Sequence, residues 1–166
     1  MTLTTEKIKN NYPLVLIKLL IVSLFVISLI SGFIKTSSYL NLTGDENGFL
    51  KVLNTNENSF FRPAIILLIP LGGIFINKRI GWILIQSYFY FLITRLAFKA
   101  SYLDLTDLML TVINAVGFLL LLLIIVIMNK RKISHSIYKI SKKGLINMNI
   151  IASVIGMSIT IISVKI

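Results

Sequence analysis

The chain contains no cysteine, one histidine and only six acidic residues among 166. The missing cysteine excludes disulfide frameworks, thiolate metal sites and cysteine nucleophiles, and leaves the redox compartment open. Charge is scarce altogether: Asp, Glu, Lys and Arg make up 14% of the chain, where a soluble domain carries about 25%. Apolar residues stand in their place, at 56% against about 45–50% in soluble domains, with a mean hydropathy of +0.89. That composition excludes a disordered chain and opposes an ordinary water-soluble globule. Yet 17 Lys and Arg leave a formal net charge of +11, which taken alone suggests nucleic acid or an anionic surface. The abundance of Ile, Lys and Asn points to an AT-rich bacterial genome.

The distribution of the charges resolves the contradiction. Residues 19–34 are uncharged, and extending back to Leu14 admits only Lys18; further uncharged runs cover 63–77, 80–94, 108–129 and 144–164. A bilayer core about 30 Å thick takes about 20 apolar residues as helix. The two shortest runs reach that length by borrowing Ser59 to Arg62 and Arg95 to Phe98. The expected fold is all-α, a polytopic bundle of about five membrane-spanning helices at 13–35, 60–77, 80–98, 105–128 and 145–164. The whole chain forms one integral membrane domain, with an outer loop at 36–59 and an inner basic segment at 129–143. Lys7 and Lys9 precede the first run, but it is long for a signal-peptide core and no small-x-small site with alanines follows, so it reads as an uncleaved anchor.

Basic short loops stay on the cytoplasmic side. With the N-terminus inside, the inner side collects Lys7, Lys9, Lys78, Arg79, Lys130, Arg131, Lys132, Lys139, Lys142 and Lys143 against Glu6 alone. The outer side holds Lys35, Lys51, Arg62, Arg95, Lys99 and Lys165 against Asp45, Glu46, Glu57, Asp104 and Asp107. The asymmetry predicts a C-terminus outside, in a bacterial plasma membrane. Within 129–143, Ile133, Ile137 and Ile140 share one helical stripe opposite Arg131, His135, Lys139 and Lys142, the pattern of an amphipathic helix in the headgroup plane. Lys130, Arg131, Lys132, Lys139, Lys142 and Lys143 are therefore expected to face anionic inner-leaflet lipid. A nucleic-acid patch would interleave aromatics with these cations, and only Tyr138 is there, so nucleic acid is not an expected partner.

Polar groups inside the membrane are costly and mark either packing or function. Tyr88, Arg95 and Lys99 share a face of the third helix; Asp107, Thr111 and Asn114 share a face of the fourth. Folding that hairpin about its short outer turn brings Arg95 level with Asp107 and Tyr88 level with Asn114. The expectation is a polar seam, with Arg95 and Asp107 as an ion pair, serving either as interhelical glue or as a binding or permeation site. Gln86, Tyr90 and Thr94 form a second, weaker stripe facing another neighbour. Pro70, Gly72 and Gly73 are expected to bend or loosen the second helix. Ser28 with Gly32, and Ala152 with Gly156, read as packing contacts at four-residue spacing. Lys18 can snorkel to the inner interface.

Chemistry is sparsely provided. His135 lies on the inner side and five of six carboxylates on the outer, so a Ser-His-Asp triad would have to cross the bilayer. Asp104 and Asp107 read as charges at a helix start. Gly44-Asp45-Glu46-Asn47-Gly48 has turn chemistry without the further ligands of a calcium loop. Asn41-Leu42-Thr43 matches a glycosylation acceptor, which bacterial origin would void. No phosphate-binding glycine loop, zinc spacing or acid–base carboxylate pair occurs, so neither a metal, a cofactor nor an enzymatic activity is expected. Two function classes follow. One is a non-catalytic membrane protein that binds another protein in or at the membrane, as an accessory subunit or an immunity-type protein; the partner expected of the chain is such a protein or, failing that, a homo-oligomer. The alternative is a small transporter or channel subunit using the seam between the third and fourth helices.

Overall fold

Hydrocarbon offers the backbone no hydrogen bonds, so each apolar run closes its own as a helix. The computed structural model describes residues 12–43, 60–100 and 108–165, and these form helices and turns only. The helices are α1 (Tyr12–Thr43), α2 (Arg62–Phe75), α3 (Arg79–Ala100), α4 (Leu108–Asn129), the short α5 (Arg131–Ser134) and α6 (Lys142–Lys165). Four contain stretches long and apolar enough to cross a membrane: Tyr12–Tyr39, Arg79–Phe98, Met109–Asn129 and Lys142–Ser163. The chain is an α-helical membrane bundle. The fifth expected span is shorter than the rest: α2 has 14 residues, which at about 1.5 Å each rise only about 21 Å.

Helix directions follow from contacts between their ends. The Lys18 ammonium, early in α1, donates to the Ile74 carbonyl (2.8 Å) and to Asn77 Oδ1 (3.4 Å) at the end of α2. These two helices are therefore antiparallel, and Lys18 supplies a cation to the carbonyl end of α2, where the helix dipole favours one. Trp82, at the start of α3, donates its indole N–H to the Met128 carbonyl at the end of α4 (3.1 Å). Arg79 Nε donates to the Lys139 carbonyl (3.4 Å). The start of α1, the end of α2, the start of α3, the end of α4 and the start of α6 thus share one end of the bundle. Lys18, Lys78, Arg79, Lys130, Arg131, Lys132, Lys139, Lys142 and Lys143 all belong to it.

Helix α3 is the centre. It packs against α2, α4 and most extensively α6, while α1 leans on α2. Trp82, Ile85, Phe89 and Phe91 are buried within it. It is the least apolar of the four long helices and the most enclosed, because in a lipid solvent the polar side chains belong inside. Two glycines set the α2–α3 turn. A Cβ on Gly73 would come within 2.8 Å of the Gly81 carbonyl oxygen, and one on Gly81 would collide with the Ile76 carbonyl.

Two stretches differ from the expected architecture. Residues 36–43, assigned to the outer loop, continue α1 as helix. No glycine or proline interrupts the chain between Gly32 and Gly44, and Thr36 bonds back to the Gly32 carbonyl (2.8 Å). The remainder of that loop, 44–59, lies outside the described residues. The basic segment 129–143 is not one amphipathic helix either. Between the end of α4 at Asn129 and the start of α6 at Lys142, helix is confined to Arg131–Ser134, and the chain reverses through Lys139, whose φ of 54° is left-handed. The reversal brings the Ile140 N–H onto the Ser134 carbonyl (2.9 Å) and buries Ile133, Tyr138 and Ile140. The isoleucines of the expected lipid-facing stripe are therefore used to seal the end of the bundle, leaving the cations outside.

Candidate functional site

The polar side chains inside the bundle gather between α3 and α6. These helices run parallel and approach closely at Gly156, where a Cβ would lie 2.6 Å from the Ser87 carbonyl oxygen and 2.7 Å from the Phe91 nitrogen. One turn further along, the Thr94 and Thr160 hydroxyls meet at 2.7 Å. Each also bonds back within its own helix, Thr94 to the Tyr90 carbonyl (2.8 Å) and Thr160 to that of Gly156 (3.1 Å). Towards the basic end, the Tyr90 hydroxyl donates to Asn149 Oδ1 (2.9 Å), and Asn149 Nδ2 donates to Asn129 Oδ1 (2.7 Å). A three-residue chain of hydrogen bonds thereby ties α3, α6 and α4 together. Gln86, on the same stripe, is fully buried, and among the described residues neither end of its amide meets a partner at hydrogen-bond geometry.

The second stripe, Gln86, Tyr90 and Thr94, is thus the one whose partners are visible, and its neighbour is α6. Asn129, Asn149 and Thr160 were not singled out from the sequence. The signal was present: Asn149, Ala152, Gly156 and Thr160 fall at three- and four-residue spacing in an otherwise apolar run, one face of one helix.

The seam expected between α3 and α4 is set out differently. Trp82 lies beside Met128, and Leu96 is the neighbour of Gly117, at 4.0 Å from where its Cβ would stand. In that register Tyr88 falls level with the stretch around Ile124, not with Asn114. Tyr88 is buried among aromatic rings, 5.9 Å from Phe89 and 6.0 Å from Phe91 between centroids. Arg95 is exposed, with its guanidinium 5.9 Å from the Phe91 ring centroid, a cation–π distance. Thr111 is half-buried on α4, and the Asn114 Nδ2 is enclosed without a hydrogen-bond partner among the described residues. Asp107, with the proposed ion pair, lies outside the described residues, as do the other five carboxylates of the chain.

Helix α2 continues through Pro70, which is buried, and ends at Phe75. Of the three residues expected to break it, Gly73 supports the turn into α3, and Gly72 faces open space, with nothing within 4 Å of an added Cβ. Gly32 of α1 receives the Phe61 ring, which also stands edge-on to Phe33 at 5.2 Å.

At the basic end, a cavity of about 430 Å³ opens between the end of α4, the α5 turn and the start of α6. Arg131, His135 and Lys142 line it, with Ser134, Ser141, Asn129 and the apolar Ile140 and Leu145. Ser141 caps α6 by accepting from the Gly144 N–H (3.1 Å). The burial of Tyr138 in this turn pushes its phenol up to about 12. Of the basic residues expected to face lipid, Arg131 and Lys142 line the cavity, whereas Lys130, Lys132, Lys139 and Lys143 are exposed outside it. Among the described residues no group of three metal-ligating side chains occurs. No protein-family model, curated protein or solved structure matches this chain.

Proposed function

We propose that the chain is a non-catalytic plasma-membrane protein of a bacterium that works by holding a partner protein through α4, as an accessory subunit or an immunity-type protein does. The observation that carries this reading is that α4 is the least enclosed of the four spans. Within its most apolar stretch only 6% of the residues are buried, against 17% or more in each of the others, although it is the most apolar of the four. Its outward residues Val112, Val116, Leu119, Leu123 and Val126 recur at alternating spacings of four and three, and all are exposed. Heptad spacing of branched apolar residues suits knobs-into-holes packing against another helix. The occupant we favour is a transmembrane helix of the partner.

The transport reading draws less support. Tyr90, Asn149, Asn129, Thr94 and Thr160 satisfy one another between helices, the pattern of interhelical glue, worth about 0.6 kcal/mol per bond. A photo-crosslinking residue at Leu119, followed by purification in mild detergent, tests the proposal. The expected product joins the chain to one other protein in stoichiometric amount, and a crosslinker at Phe91, inside the bundle, captures nothing. A product made only of two copies of this chain, or stability that depends on a solute with no partner present, overturns the proposal.

A further inference from the structure

The cavity at the basic end lies where two spans finish and begin, Met109–Asn129 and Lys142–Ser163, which is the level of lipid headgroups. A continuous amphipathic helix would have spread its cations along a surface. The folded turn instead brings Arg131 and Lys142, eleven positions apart in sequence, to one concavity that His135 also lines. The turn is braced from within. Ile133, Tyr138 and Ile140 are buried, Ile140 N–H reaches the Ser134 carbonyl, and the Ser134 hydroxyl donates to the Lys130 carbonyl (3.2 Å). None of the described residues is a carboxylate, so no acid among them neutralises the two fixed cations.

We propose that this cavity binds the phosphate group of a single anionic phospholipid headgroup. Arg131 supplies a forked guanidinium that matches two phosphate oxygens, and Lys142 a second point charge. The positive end of the α6 dipole adds to both. The volume of about 430 Å³ falls within the roughly 300–1,000 Å³ of small-molecule sites and leaves room for glycerol beside the phosphate. Ile140 and Leu145 give that glycerol and the first acyl carbons an apolar wall, which an inorganic ion has no use for. The site is independent of the exposed face of α4, so its test stands apart from the proposed partner.

The experiment uses the full chain in neutral detergent, titrated with short-chain phosphatidylglycerol, with phosphatidylcholine of the same chain length, and with inorganic phosphate. Thermal stability and native mass spectrometry are the readouts. Phosphatidylglycerol is expected to raise the unfolding midpoint saturably, with one lipid retained per chain, while phosphatidylcholine does not. Combined Arg131→Gln and Lys142→Gln should weaken the apparent affinity by about tenfold or more, as loss of charge-assisted bonds predicts. Combined Lys130→Gln and Lys143→Gln removes the same charge outside the cavity and should change it less than about twofold. Leu145→Phe keeps every charge and narrows the cavity, and it too should weaken phosphatidylglycerol. Equal losses from the two charge pairs, or many lipids bound without saturation, overturn the site in favour of diffuse attraction. Inorganic phosphate matching phosphatidylglycerol at equal concentration keeps the phosphate site and overturns the lipid as its source.

Discussion

The hydroxyls of Thr94 and Thr160 stand 2.7 Å apart across the interface of two parallel helices, one turn beyond the glycine that lets those helices meet. The order matters physically. In lipid no hydrophobic force draws apolar helices together, so close backbone approach and hydrogen bonds between them do that work. Gly156 brings α6 against the backbone of Ser87 and Phe91, and only at that separation do two short side chains reach each other.

Gly156→Ala should therefore cost more than the loss of the hydroxyl pair. The added Cβ meets backbone atoms at 2.6 and 2.7 Å, which cannot rotate away, so the helices must separate. Overpacking of this kind costs about 1–3 kcal/mol, and Thr160→Val about 0.6 kcal/mol. Gly72→Ala has open space and should be neutral, or gain up to about 1 kcal/mol of helix propensity. Denaturation of the three variants in detergent gives the ranking; a Gly156→Ala protein as stable as Gly72→Ala would contradict the contact.

Gln86→Leu is expected to stabilise. The residue is fully buried and among the described residues both ends of its amide lack a partner at hydrogen-bond geometry, a desolvation cost of about 1–3 kcal/mol. An apolar side chain of similar size removes that cost. Tyr90→Phe, four residues on, should do the opposite, because it breaks the bond to Asn149 and leaves that amide short of a partner. Thermal unfolding of both variants checks the contrast, and a destabilised Gln86→Leu would mean the amide has a polar function in the bundle.

The helices were legible in the sequence because charge exclusion acts residue by residue: the gaps at Lys78-Arg79 and around Lys130 mark where helices stop. Partnership between helices was less legible. Adjacency in the chain suggested that α3 would place its polar groups against α4, yet α6 is its main partner, and nothing in a single helix says which neighbour will face a given stripe. The turn at 135–141 was hidden for another reason. Ile133, Ile137 and Ile140 satisfy helical periodicity, but Lys139 adopts a left-handed conformation that an ordinary residue takes only when surrounding packing holds it there. Local pattern predicted a surface helix, and burial of Tyr138 and Ile140 prevailed.

Tyr138 makes that burial measurable through pH. Its phenol is pushed from an ordinary value of 10.0 up to about 12 by desolvation. As pH rises past about 10 the unfolded chain releases this proton while the native chain keeps it, so the unfolded state binds fewer protons and stability falls. The loss runs from about pH 10 to 12, at no more than about 1.4 kcal/mol per unit, and is absent below that window. Tyr138→Phe should remove this slope. Because the Tyr138 hydroxyl has no hydrogen-bond partner among the described residues, the same change should cost nothing at neutral pH. Unfolding midpoints of the two proteins from pH 9 to 12 compare them directly.

The orientation of the chain turns on α2, the helix too short to count as a full span. Phe61, just before it, packs at Gly32 and Phe33 of α1, and Asn77, just after it, lies beside Lys18 of the same helix. Whatever its length, α2 therefore carries the chain back along α1, and α3 starts from the end where α1 began. With α3, α4 and α6 each reversing direction in turn, the start of α1 and the end of α6 belong to opposite faces of the bundle. Nine cations crowd the first of these ends, and the positive-inside bias predicts that such an end faces the cytoplasm. The absence of cysteine makes the test clean, since single-cysteine variants carry no background. A membrane-impermeant maleimide should label Ile166→Cys in intact cells, and Asn77→Cys and Ser136→Cys only after permeabilisation. Labelling of Asn77→Cys in intact cells with protection of Ile166→Cys would mean an inverted chain or an α2 that does not return it, and protection of both would mean that one of α3, α4 and α6 does not cross.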